Sequence, residues 1–125
     1  MSRLKDRIAA LVAATGPIPV SQYMALCLYD PGDGYYTTRE PFGREGDFVT
    51  APELTPLFGQ ALARQVAQAV QAAQADEIFE FGAGSGALAA QLLDALGERV
   101  QRYSIIDLSG TLRQRQAERL AAFGE

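Results

Sequence analysis

The sequence predicts an α/β fold in which a helical and loop-rich segment, residues 1–75, precedes a β-α-β-α unit over residues 76–125. Apolar residues recur at helical spacing in the first part, whereas strand-like and helical runs alternate in the second. A glycine-rich turn, residues 82–86, joins the first strand to the following helix. Because parallel sheets bury both faces and need more than two strands, we expect the natural chain to continue beyond Glu125.

Two short helices are predicted at the amino terminus. The first covers residues 3–14 and ends at Thr15-Gly16-Pro17, which breaks helical periodicity. The second is capped by Ser21 and ends at Tyr29-Asp30-Pro31-Gly32. Its apolar run predicts that this second helix is mostly buried.

Residues 30–52 form a long connection rich in glycine and proline, without clear periodicity. Long loops of this kind are usually functional or disordered, and the aromatic residues within it favour order. Thr55 and Pro56 are typical of an N-cap and a first helical position, although the helix could begin a turn earlier, at Glu53. We expect this long helix to reach about Ala73.

In the second part of the chain, predicted strands and helices alternate, which is typical of a parallel sheet. Strands are predicted at 78–81 and 103–106, and helices at 87–96 and 111–123. The last of these helices is indicated by the helical spacing of Leu112, Gln116, Leu120 and Phe123.

Composition excludes several classes of function. The chain has 11 basic and 15 acidic residues, giving a net charge of −4 without a basic stripe, so we expect no nucleic-acid partner. It has no histidine and one cysteine, Cys27, which excludes histidine-based triads, an internal disulfide and a CxxC metal site in this segment. No apolar stretch is long enough to span a bilayer, so we expect a cytoplasmic protein or the mature part of an organellar one.

The glycine turn predicts a nucleotide-binding site. Gly82, Gly84 and Gly86 permit sharp turning and close approach of a ligand to the backbone, and the following helix presents unpaired N–H groups. Asp107 lies 107 − 86 = 21 residues after the last glycine, near the spacing expected for an acid that binds ribose hydroxyls. Dinucleotide-binding oxidoreductases share this pattern. Glu80 favours S-adenosylmethionine instead, because a carboxylate is unfavourable beside a pyrophosphate but well placed beside an ammonium group.

Longer motifs carry a more specific resemblance. They are Tyr29-Asp30-Pro31 with Gly34-Tyr35-Tyr36, residues 46–53 with Pro56-Leu57-Phe58-Gly59, residues 80–86, and Asp107-Leu108-Ser109 with Leu112-Arg113. In these the sequence resembles the MidA-like methyltransferase family, which includes the mitochondrial complex I assembly arginine methyltransferase. The resemblance runs from about Pro17 to the end, and family members are roughly three times longer.

The resemblance implies a truncated, Rossmann-like class I methyltransferase fold that binds S-adenosylmethionine. Glu80 and the turn glycines, Gly82, Gly84 and Gly86, would contact the methionine part, and Asp107, followed by Leu108, would contact the ribose side. Family members often have Glu where this chain has Asp107. The stretch 46–53 would cover the cofactor, with Thr50 and Glu53 as its contact residues.

The implied methyl acceptor is an arginine in a protein substrate, a subunit of respiratory complex I, in bacterial cytoplasm or the mitochondrial matrix. No residue of the chain is assigned a catalytic role, no metal is expected, and no oligomeric state is predicted. Two alternatives stay open at this point: a nicotinamide- or flavin-binding oxidoreductase, and a non-catalytic binding module.

Overall fold

The computed structural model describes residues 3–39, 41–42 and 46–124 and confirms the α/β class. Two one-turn 3₁₀ segments, Gly97–Arg99 and Ala121–Phe123, follow the last two α-helices. In chain order the other elements are α1 (Arg3–Thr15), α2 (Val20–Tyr29), α3 (Tyr35–Thr38), α4 (Ala51–Leu54), α5 (Pro56–Ala73), β1 (Glu77–Phe81), α6 (Ala87–Leu96), β2 (Arg102–Ile106) and α7 (Gly110–Leu120).

The two strands form a parallel pair. Ile78 pairs with Tyr103 and Glu80 with Ile105, so these four side chains share one face of the sheet. The register also places the last residues of both strands side by side. The residues that follow the strands, Gly82 and Asp107, therefore emerge at the same edge of the sheet.

The core lies between one face of this sheet and the packed pair α5 and α6. Gly59 of α5 lies against Gln91 of α6, whose Oε1 accepts a 2.9 Å hydrogen bond from the Gly59 N–H. A Cβ at Gly59 would stand 2.3 Å from the Gln91 Cβ, so only glycine allows this approach. The buried centre consists of Ala63, Leu92, Leu96 and Val100, with Ile78, Leu88 and Tyr103 packed against it.

The opposite face of the sheet is an apolar surface. Phe79, Phe81 and Ile106 point to this side and are 57%, 74% and 48% exposed. Parallel sheets normally carry cover on both faces. In the part of the chain that the structure describes, only one face is covered.

The expectation that the second helix is mostly buried is wrong. Helix α2 packs mainly against α1 and α3, and Val20, Tyr23 and Met24 are at least half exposed. Apolar composition alone does not say how many neighbours a helix has. The helix begins directly after Pro19 without a side-chain cap, so Ser21 is its second residue and not its cap.

An ion pair fixes the turn after α2. The buried Asp30 carboxylate accepts a 2.8 Å hydrogen bond from the Arg7 guanidinium of α1 and bonds from the backbone N–H groups of Gly32 and Asp33. The hydrogen bond from Arg7 is the main cause that lowers the pKa of Asp30. This carboxylate ties the first helix to the start of the long connection.

The long connection is ordered where the structure describes it, and α7 anchors it. The Ser109 hydroxyl donates to the Tyr36 carbonyl, and the Thr111 hydroxyl donates to the Thr37 carbonyl at 2.7 Å. Arg115 donates to the Phe42 carbonyl at 3.2 Å. Tyr36, Thr37 and Phe42 therefore lie over the junction between β2 and α7. No helix in the described ranges is both long and apolar enough to cross a membrane.

Candidate functional site

The glycine turn links β1 to α6 in a conformation that other residues rarely adopt. Gly82, Gly84 and Gly86 have φ values of +68°, +55° and +79°. L-residues with a side chain pay a steric cost in this region, which explains the residue type at each position. The Gly82 N–H donates to the Ile106 carbonyl at 2.9 Å, so the turn begins as a continuation of the sheet.

Two cavities flank this turn. The Glu80 cavity has a volume of about 160 Å³, and the Asp107 cavity has a volume of about 200 Å³. They share Phe42, Gly82 and Gly84, so the turn and one aromatic ring separate them. The Glu80 cavity is lined by Phe42, Thr50, Pro52, Glu80, Gly82, Ala83, Gly84, Ser85, Ala87 and Leu88. The Asp107 cavity is lined by Tyr29, Tyr36, Phe42, Gly82, Gly84, Asp107 and Leu112.

Glu80 presents a half-buried carboxylate to its cavity. Its Oε2 accepts a 2.8 Å hydrogen bond from the Tyr103 hydroxyl on the neighbouring strand. Burial raises the pKa of Glu80 above the ordinary 4.5, and the bond from Tyr103 partly opposes this shift. Burial and the adjacent carboxylate raise the pKa of Tyr103, which keeps its proton for this bond. Within the described residues Oε1 accepts no hydrogen bond, so it can accept one from a bound cation.

Asp107 is held by two donors at the end of β2. Its Oδ1 accepts from the Ser109 N–H at 3.0 Å, and its Oδ2 accepts from the Gln116 side-chain amide at 2.9 Å. Each carboxylate oxygen has a second acceptor site. The oriented carboxylate can therefore still receive hydrogen bonds from ligand hydroxyls.

Gln116 is a site residue that the sequence did not identify. It is 4% exposed, and its Nε2 donates to both the Gly84 carbonyl and Asp107 Oδ2, each at 2.9 Å. The available signal was a long polar side chain at helical spacing with three apolar residues, Leu112, Leu120 and Phe123. Buried amides need partners, and these partners belong to the turn and to the acid.

An aromatic roof over the turn was also missed. It consists of Tyr29, Tyr36 and Phe42, whose rings stack with centroid separations of 5.7 and 6.0 Å. The Phe42 ring lies 3.7 Å from where a Cβ on Gly84 would stand. The sequence predicted an ordered connection rich in aromatic residues, but within it only Thr50 was predicted to contact the cofactor, together with Glu53 just after it.

The structure brings most of the predicted contact residues together. Glu80 and Thr50 line one cavity, Asp107 lines the other, and Gly82 and Gly84 line both. Leu108, by contrast, is 72% exposed and lines neither of them.

Two other predicted residues, Gly86 and Glu53, support the turn and line neither cavity. Gly86 faces α7, where a Cβ would meet the Gln116 Cα at 3.5 Å. The Glu53 carboxylate accepts a hydrogen bond from Ser85 and pairs with Arg119 at 3.2 Å. Glu53 therefore supports the turn through Ser85 but lines neither cavity, and its contact with a cofactor stays a prediction. In the described ranges no group of three or more acidic or thiol side chains could hold a metal ion.

Fold and site together are those of a Rossmann-like α/β protein with a glycine turn between the first strand and the following helix. Residues 61–124 match the family described as "Putative S-adenosyl-L-methionine-dependent methyltransferase", and the chain belongs to this family. The resemblance to MidA-like methyltransferases is thereby confirmed.

Named relatives agree with this family. The chain is 34% identical over 123 residues to the mitochondrial protein arginine methyltransferase NDUFAF7 homolog of Drosophila melanogaster, covering 93% of this chain and 28% of that protein. It is 36% identical over 121 residues to the mitochondrial protein arginine methyltransferase NDUFAF7 of Danio rerio, covering 89% and 29%.

A solved structure supports the fold. The chain superposes on a Burkholderia thailandensis candidate methyl transferase bound to S-adenosyl-homocysteine with a TM-score of 0.87 and 51% identity, covering 97% of this chain and 34% of that one. The truncated class I methyltransferase fold is thus confirmed. The chain spans between 28 and 34% of the length of these three proteins.

Proposed function

We propose that the chain forms the S-adenosylmethionine-binding part of a methyltransferase. The observation that carries the proposal is the placement of two carboxylates, Glu80 and Asp107, in adjacent cavities on either side of a glycine turn. The bound S-adenosyl-homocysteine of the Burkholderia thailandensis relative supports the same ligand class.

The residues fit this cofactor chemically. The Glu80 Oε1, which accepts no hydrogen bond from any residue that the structure describes, suits the ammonium group of the methionine part, and Asp107 suits the ribose hydroxyls. The open space beside Gly82, where a Cβ would meet no atom within 4 Å, allows the ligand to approach the backbone. When bound, the cofactor supplies a methyl group on a positively charged sulfur. The chain holds and orients it, and Phe42 and Thr50 restrict water.

The methyl acceptor is proposed from the relatives alone. The names of the fly and zebrafish relatives support an arginine in a protein substrate. The family resemblance extends this to a respiratory complex I subunit, with a site of action in the mitochondrial matrix or, in a bacterium, the cytoplasm. Contacts of Glu53, Gly86 and Leu108 with the cofactor remain predictions from the sequence, since none of the three lines either cavity.

Calorimetric titration tests the cofactor proposal on the protein encoded by the complete open reading frame. We expect Glu80→Gln to lower the affinity for S-adenosyl-homocysteine about tenfold, equivalent to about 1.4 kcal/mol. Its affinity for methylthioadenosine, which lacks the amino-acid tail, should not change. Asp107→Asn should weaken both ligands, because both carry the ribose.

Glu77→Gln is the matched control, since Glu77 lies on the same strand but the opposite face, beside Ser104. Binding of NAD⁺ or FAD in place of S-adenosyl-homocysteine would refute the proposal in favour of an oxidoreductase. Absence of binding to any of these nucleotides would refute it in favour of a binding module.

The raised pKa of Glu80 gives a second measurement. Ammonium binding needs the ionised carboxylate, so affinity for S-adenosyl-homocysteine should fall as the pH drops through a value above 4.5. In Glu80→Gln this pH dependence should disappear. A profile that is unchanged by the substitution would assign the titration to another group.

A further inference from the structure

We propose that Gln116 is a positioning residue that sets the ribose subsite by fixing Asp107 against the glycine turn. This inference rests on the proposed function and deepens it. Its basis is a single buried amide nitrogen that donates to two groups of the site, the Gly84 carbonyl and Asp107 Oδ2.

The bridge uses the whole donor capacity of the side chain. A carboxamide nitrogen has two hydrogens, and here each has one acceptor at 2.9 Å. Both acceptors belong to residues that line the Asp107 cavity. Since Gln116 is 4% exposed, water cannot readily replace the amide. The distance between turn and acid is therefore set by one rigid group.

Gly86 packs beside the bridge. A Cβ at this position would meet Cα and Cγ of Gln116 at 3.5 Å, which is ordinary van der Waals contact, so α7 lies close to the turn here. The φ of +79° at Gly86, and not a lack of space, favours glycine at the third position of the motif. Helix α7 thus links the glycine turn after β1 to Asp107 after β2 through Gln116.

Substitution chemistry distinguishes positioning from packing. Methionine has similar volume but no donor, so Gln116→Met keeps the packing and removes both hydrogen bonds. An ionised glutamate cannot donate and would lie beside Asp107, so Gln116→Glu adds charge repulsion. When that carboxyl is protonated it can donate one bond again.

The experiment compares methylthioadenosine with its 2′,3′-dideoxy analogue by calorimetry. Gln116→Met should weaken methylthioadenosine about tenfold and leave the dideoxy analogue unchanged, because only the former uses the oriented Asp107. Gln116→Glu should show the same selective loss near pH 8 and a partial recovery near pH 5. Gln114→Met is the matched control, since Gln114 lies on the same helix but is exposed, bonded to Glu118.

Each outcome supports or contradicts the positioning role of Gln116. Equal loss for both ligands, or no loss, would overturn the inference, as would a pH-independent loss in Gln116→Glu. Circular dichroism establishes that each variant folds, and if Gln116→Met is unfolded, the ligand ratio in Gln116→Glu carries the test. Failure of the unsubstituted protein to bind both S-adenosyl-homocysteine and methylthioadenosine would instead refute the proposed function itself.

Discussion

Replacing Gly82 by alanine separates the ligand-binding role of the turn from its role in folding. Gly82 has a φ of +68°, and a Cβ there would meet no atom within 4 Å. The substitution should therefore lower the free energy of unfolding only through the left-handed backbone conformation, by about 1–2 kcal/mol. The new methyl group, however, would occupy open space at a residue that lines both cavities.

The expected outcome has two parts. Unfolding should show a melting temperature lower by about 3–12 °C, as a backbone cost of about 1–2 kcal/mol predicts for a chain of this size. Affinity for S-adenosyl-homocysteine should fall at least about tenfold, because the methyl group blocks close approach of the ligand to the turn. Thermal unfolding and calorimetric titration measure the two quantities on the same protein.

Gly97→Ala provides the control. Gly97 has a φ of +53° and also has no atom within 4 Å of the added Cβ, but it lies at the far end of α6 and lines neither cavity. Its backbone cost is of order 1–3 kcal/mol, so stability should fall by as much or more while affinity is retained. Equal affinity in Gly82→Ala and the unsubstituted protein, or an equal loss in both variants, would refute the assignment of the turn.

Further predictions concern packing and pH. Gly59→Ala should destabilise the protein by about 1–3 kcal/mol, because the new Cβ would lie 2.3 Å from that of Gln91, and urea denaturation measures the loss; unchanged stability would contradict the close approach of the two helices. The lowered pKa of Asp30 means that its pair with Arg7 contributes stability above about pH 4, which is lost as the pH falls through that lower value. The stability advantage of the parent over Asp30→Asn should therefore shrink in acid, and an advantage that does not change with pH would exclude the ion pair as its cause.

The sequence predicted the parts of the site that follow from local chemistry. The strands and their β-α-β-α order could be read from periodicity, and parallel pairing then placed the glycine turn and Asp107 at one edge. Glu80 was identified because its charge has opposite consequences beside an ammonium and beside a pyrophosphate. These inferences need only the residue type and its position relative to a strand end.

The missed parts depend on how distant segments meet. The aromatic roof arises because α7 binds carbonyls of residues 36, 37 and 42, and a connection without periodicity gives no sign of its path. Gln116 acquires its role only when α7 packs against the turn and brings the amide to the Gly84 carbonyl and to Asp107. The exposure of α2 reflects the number of its neighbours, which its composition does not contain.

The buried Ser109 hydroxyl has a thermodynamic consequence. It accepts the capping bond from the Leu112 N–H at 3.2 Å and donates to the carbonyl of Tyr36, 73 residues earlier. One atom thus belongs to the helix start and to the roof, so neither can loosen without disturbing the other. If a nucleoside binds at the end of β2 and orders it, amide hydrogen exchange should slow both at the start of α7 and around Tyr36. Exchange around Tyr36 would then report whether the site is occupied.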